Sequence, residues 1–175
     1  MAMQDVAAAM ERVKTVLERR PEMGLHDDAP ATARWEGGTR IVASHANGKQ
    51  MATDMPAELG GTGDQVSPGW LFRAGLASCA ATTIAMTAAR RGIDLATLEV
   101  KAVSRSDTRG FLQMEEKDGT LVDASPGDFR VFVRIAAHNA PPEQLRALVT
   151  EGLGCAPITH AVANANSIAV DVEIA

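Results

Sequence analysis

Two cysteines, Cys79 and Cys155, are the residues of this sequence best suited to covalent chemistry. The thiolate is both the nucleophile and the metal-binding form of Cys, so each position matters through what would hold it ionised. His26, His45 and His138 are scattered through turns and strand ends, and His160 stands five residues beyond Cys155. None has metal-ligand spacing, and two thiols without such a cluster make a poor zinc site. The LGGTG run is too short, and follows no strong β-run, to be a phosphate-binding glycine loop. Two readings of the cysteines stay open on residue types alone. They are inert buried thiols, or they are a redox-active pair.

Cys79 falls on an expected helix. Ser67 is a good N-cap, Pro68 suits the first helical position, and Arg90-Arg91 followed by Gly92 makes a natural end. Leu71, Gly75, Cys79, Thr82/Thr83 and Met86 recur at three or four and share a face. Between Leu71 and Ala89 the only charge is Arg73. A helix so nearly apolar all round must be covered on most sides, and one small domain can hardly do that, so a second subunit is expected to help. An apolar mid-helix site raises a thiol pKa, so a nucleophilic Cys79 requires an Arg or Lys delivered from elsewhere in the fold. Cys155, between Gly154 and Pro157, is expected near the start of the last helix, where free N–H groups favour a thiolate.

The elements around these thiols follow from periodicity. Residues 3–20 place Val6, Met10, Val13 and Leu17 on one helical stripe, stopped before Pro21. ATARWEGGTRIVAS and KQMATDM are short β-prone runs with turns at Gly37-Gly38 and Asn47-Gly48, a small antiparallel meander. The segment from Pro56 to Gly69 is a Gly/Pro-rich loop that must turn sharply or approach something closely. Residues 97–105, 129–137 and 167–175 alternate with period two as strands with one buried face. Thr108 to Leu121 is expected to add a strand and a turn at Asp118-Gly119, and 141–153 a second amphipathic helix, with a short helix from about Pro157. The chain therefore reads as α+β.

Bulk properties exclude several classes. The chain has 175 residues, is 46% hydrophobic and has only 3% aromatics and no Tyr, so its core is built from aliphatic residues and Met. A net charge of −5 with no basic stretch argues against nucleic acid and anionic membranes as partners. No uninterrupted apolar run approaches the roughly 18 residues of a membrane span, and the N-terminus has no secretory pattern, so a cytoplasmic location is expected.

SPGWLFRAGLASCA resembles the peroxidatic helix of the OsmC/Ohr family (osmotically induced protein C and organic hydroperoxide resistance protein). ARWEGGTR is similar to the amino-terminal hairpin of OsmC proteins, LGGTGDQVSP to their Gly-rich loop, and GCAPITHAV to their second cysteine motif. The resemblance covers residues 31–175 as an OsmC-like domain and leaves 1–30 as an N-terminal helical extension.

It implies antiparallel sheets wrapped around central buried helices in an intertwined homodimer. It also implies a thiol peroxidase, without cofactor or metal, acting on organic, lipid-like hydroperoxides. Cys79 would become a sulfenic acid, Cys155 would resolve it to a disulfide, and a dithiol such as a lipoylated protein would reduce that. Arg40 is the nearest match for the Arg that holds the thiolate, with Arg34 second. Two positions depart from the family. Gly69 stands where Glu usually follows the opening Pro, leaving Glu36 and Glu58 as carboxylates that the loops would have to bring to the Arg. Ala156 separates Cys155 from Pro157, which the family joins directly. Two alternatives belong to other classes: a dimeric protein that binds a hydrophobic small molecule without turnover, and a single-thiol redox sensor.

Overall fold

The computed structural model describes residues 3–164 and 166–174. Its elements run α1 (Met3–Arg19), β1 (Thr32–Trp35), β2 (Ile41–Ser44), β3 (Gln50–Thr53), α2 (Pro68–Arg90), β4 (Leu95–Arg105), α3 (Thr108–Phe111), β5 (Gly127–Ala137), α4 (Pro142–Gly154) and α5 (Pro157–Ala163). The first three strands form an antiparallel meander with register pairs Trp35↔Ile41 and Ser44↔Gln50, closed by the two expected turns. β4 and β5 form a separate antiparallel pair, and the residues expected to alternate inward, such as Val100 and Val133, face each other across it. The architecture is α+β, as expected.

α2 organises the rest. The Ser67 side chain accepts from the Trp70 N–H at 3.2 Å, and Pro68 occupies a position whose N–H has no helical acceptor. At the other end Gly92 takes φ +64°, so the Ile93 N–H reaches the Ala88 carbonyl and the Gly92 N–H the Ala89 carbonyl. That pairing satisfies the last carbonyls and brings Ile93 onto Ala88. Both side chains join Leu145 and Leu148 in the buried core, with Met3, Leu95 and Ile135 packed around them. The core thus sits at the C-terminal end of α2, between α4 and the β4–β5 sheet. α4 comes very close to α2 because residue 152 is Gly: a Cβ there would lie 2.7 Å from Ile84 Cα. Glu151 adds ion pairs to Arg90 and Arg91.

Three expectations are corrected. The stretch from Thr108 to Leu121 begins with the short helix α3, capped by the Asp107 side chain, rather than a strand, and only the single bridge Glu115↔Leu121 closes the Asp118-Gly119 turn. Residues 166–174 belong to no strand; Ile168, Val170, Val172 and Ile174 are all largely exposed, and Ala175 lies outside the described residues. An alternating pattern becomes a strand only beside an edge that takes up its N–H and C=O groups, and no edge pairs with these residues among those described. Finally, α2 has the length and mean hydropathy (1.2) of a membrane-crossing helix, which counting uninterrupted apolar residues missed. Its packing against α1, β4, α4 and α5 identifies it as the core helix of this fold.

Gly152→Ala is expected to push α4 off Ile84 and cost about 1–3 kcal/mol. Urea unfolding would show this as a lower midpoint; a native midpoint would mean that the helix–helix contact adjusts freely.

Candidate functional site

The hairpin register sets the position of Arg40. Glu36 N–H donates to the Arg40 carbonyl and Arg40 N–H to the Gly37 carbonyl, each at 3.0 Å, closing the turn before β2. The Asn47-Gly48 turn pairs Ile41 with Thr53, so continuing the ladder by one residue sets Arg40 opposite Asp54. The Arg40 Nη2 donates to Asp54 Oδ2 (3.2 Å), to Thr62 Oγ1 (2.8 Å) and to Asp64. Asp54 is buried and also accepts from Met55 N–H (2.8 Å), Thr62 N–H (3.1 Å), Thr62 Oγ1 (2.6 Å) and Thr39 Oγ1. The loop folds this tightly because residue 61 is Gly; a Cβ there would stand 1.8 Å from the Met55 carbonyl oxygen.

These bonds shift the ionisations together. The Thr39 and Thr62 hydroxyls and the neighbouring N–H groups hold the Asp54 carboxyl far below the usual carboxylate range. Asp64 is also lowered, by Thr62 first and then by Arg40, while Asp64 holds the Arg40 guanidinium above its ordinary value. The carboxylates answering Arg40 are therefore Asp54 and Asp64, not Glu36 or Glu58, which remain exposed. The symmetric spacing of residues 40 and 54 about the Asn47-Gly48 turn was the available signal. Arg34, the second choice, sits on exposed β1. At Gly69, a Cβ would come within 3.6 Å of Arg73 Nη1, which in turn reaches Ser104 Oγ at 3.5 Å.

Cys79 is half-buried in the middle of α2, beside buried Ala80, and its carbonyl accepts from Thr83 Oγ1. Cys155 is exposed and, as expected, stands just before the last helix. It caps the C-terminal end of α4, with its thiol donating to the Gly152 carbonyl at 3.3 Å, while Ala156 occupies the N-cap of α5. The thiol thus meets a carbonyl of α4 rather than an N–H of α5. His160 Nε2 lies 2.8 Å from the Gly154 carbonyl.

Both thiols are free. Two contacts nonetheless relate them. Gly152 packs on Ile84, and Ile158 reaches Gly75, where a Cβ would lie 3.9 Å from Ile158 Cδ1. The α4–α5 segment therefore touches α2 at two points about 13 Å apart along its axis and on opposite sides of it. Cys155 lies midway along that segment, and Cys79 lies midway between Gly75 and Ile84. No hydrogen bond joins Arg40 to either cysteine among the described residues.

Comparison with known proteins adds the family. Residues 61–172 match the model of the OsmC-like protein family. The chain belongs to that family. Among solved structures, an OsmC-like protein of Mycoplasma pneumoniae superposes with a TM-score of 0.64 at 16% identity, covering 79% of this chain and 89% of that one. The organic hydroperoxide resistance protein OsmC of Legionella pneumophila gives a TM-score of 0.56 at 22% identity, with 79% and 90% covered. An organic hydroperoxide resistance protein of Elizabethkingia anophelis gives 0.56 at 21%, with 79% and 89% covered. These likenesses establish the OsmC-like fold. No curated protein matches the chain.

Because Asp54 is depressed in the folded state, it adds stability that is complete above its unfolded pKa near 3.9 and fades as the pH falls toward the folded value. Asp54→Asn is expected to lower the urea midpoint at pH 7 and to flatten its fall below about pH 4. A variant as acid-sensitive as the native protein would show that this cluster does not titrate with unfolding.

Proposed function

We propose that this OsmC-like protein is a thiol-dependent peroxidase acting on organic, lipid-like hydroperoxides, with Cys79 as the attacking thiol and Cys155 as the resolving one. The observation that supports this most directly is the pair of contacts, Gly152 on Ile84 and Ile158 against Gly75, that bracket both cysteines. The relatives in Legionella pneumophila and Elizabethkingia anophelis, described as hydroperoxide resistance proteins, point the same way.

In the proposed cycle the Cys79 thiolate attacks the terminal peroxide oxygen. An S–O bond forms, the O–O bond breaks, and the departing alkoxide takes a proton to leave as alcohol. The Cys155 thiolate then attacks the sulfenic sulfur; S–S forms, S–O breaks, and the departing hydroxide takes a proton to leave as water. A dithiol reductant, such as a lipoylated protein, opens the disulfide and restores both thiols. Arg40, carried by the hairpin, is the cation assigned to hold the Cys79 thiolate. Its Nη2 is anchored by Asp54, Thr62 and Asp64, which do the work of the Glu that Gly69 lacks.

The proposal includes an intertwined homodimer. The chain exposes 12957 Å², whereas a closed monomer of 18.4 kDa would expose roughly 8,200 Å². Part of the excess is the uncovered faces of the β1–β3 meander, with Trp35 68% exposed, and the unpaired segment 166–174. A three-stranded sheet with no layer against it needs a covering surface, and a second copy would supply one.

One observation favours a second reading, a non-catalytic dimer that binds a hydrophobic small molecule. Two carboxylates face one guanidinium, so the Arg40 cluster carries a formal charge of −1 and has little attraction left for a thiolate.

Consumption of cumene hydroperoxide with dihydrolipoamide separates the readings. Turnover is expected in the native protein, loss of at least a hundredfold in Cys79→Ser, and in Cys155→Ser a Cys79 sulfenic acid that persists without disulfide. A native protein that consumes no peroxide, and whose Cys79 alkylates like an ordinary half-buried thiol, would leave the binding protein. Sulfenic acid at Cys79 in the native chain, without a bond to Cys155, would instead describe a single-thiol sensor.

A further inference from the structure

The helix outside the family match has an unfilled face. No residue of α1 is buried, although Val6, Met10, Val13 and Leu17 repeat at the spacing of a packing seam. Val13 is 58% exposed. Together with Met86 of α2, these side chains line an apolar groove of about 750 Å³, and Lys14 and Glu18 stand on its rim. The groove does not end at α1. Met86 continues into Thr82 and Ser78, one turn apart on the exposed side of α2, so the groove and the uncovered face of the core helix form one surface.

Resting on the dimer reading above, we propose that α1 is part of the contact between two copies of this chain. Its apolar face and Met86 close against the same region of the second copy. Three features select that occupant. The surface left exposed exceeds that of a closed monomer by several thousand Å², the scale of an obligate dimer contact and far beyond what a small ligand would cover. The groove is continuous with the α2 face that the family domain itself leaves bare. Its rim is also self-complementary: a two-fold contact brings the same patch to both sides, so Lys14 of each copy can meet Glu18 of the other. Within one chain these two side chains are only 3.7 Å apart and well exposed, so turning outward to a partner costs them little.

The test is analytical ultracentrifugation of the full chain and three full-length variants, with circular dichroism to follow the fold. The native protein is expected to be a dimer. Val13→Glu, at an exposed position, is expected to keep the native spectrum and to raise the dimer dissociation constant at least tenfold. Lys14→Glu alone and Glu18→Lys alone place like charges across the two-fold contact and weaken the dimer; mixing the two proteins is expected to restore association as a heterodimer. An effect confined to the ion pair within α1 would give no gain on mixing. A native-like constant for Val13→Glu, or mixed chains no tighter than each alone, overturns the role of α1 and leaves the dimer of the family domain standing. A native monomer, including one that floats with phosphatidylcholine–phosphatidylglycerol vesicles, overturns both.

Discussion

The structure depends on an apolar helix that its own chain only partly covers. α2 runs 23 residues, and its buried positions, from Leu76 to Ala89, cluster toward the half where α4 and the β4–β5 sheet close over it. Gly152 lets α4 approach to backbone contact, and the carbonyl–amide exchange at Gly92 turns the chain back so that Ile93 fills the same core. On another side of the helix Ser78, Thr82 and Met86 are exposed. Removing apolar surface from water is the main drive to fold, and in α2 the covered half of the helix contributes most of it.

That constraint also explains where chemistry can sit. Cys79, in the middle of α2, is half-buried. The second thiol, Cys155, sits between α4 and α5, both of which pack on α2. Its thiol donates to the Gly152 carbonyl at the end of α4.

The polar cluster around Arg40 solves a different problem. Five donors converge on Asp54, so a carboxylate can stay ionised out of water and can fix the hairpin to the loop that leads into α2. Asp64 gives Arg40 a second partner nearer the surface. The arrangement fixes the guanidinium firmly but answers its charge twice, and the balance between fixing and neutralising decides whether it can serve a thiolate.

Local patterns determined most of the elements. Ser67-Pro68, Arg90 and Gly92 delimit α2 because caps and stops act through the nearest backbone groups, and the turns at Gly37-Gly38 and Asn47-Gly48 close short loops between neighbouring strands, 37–39 and 46–48, whose length sets the register. The cysteine-bearing helix and the Gly-rich loop were recognisable for the same reason, and with them the family. Other features depended on partners far away in the chain. Residues 167–174 have a strand's alternation but pair with no edge among the described residues, and 108–111 turned helical at the Asp107 cap where a strand was expected. Asp54 and Asp64, rather than the nearer-looking Glu36 and Glu58, reached Arg40 because a ladder pairing and a folded loop brought them there. Sequence alone settles what a residue and its near neighbours prefer; which side chains meet, and which faces remain uncovered, is settled only when distant segments pack.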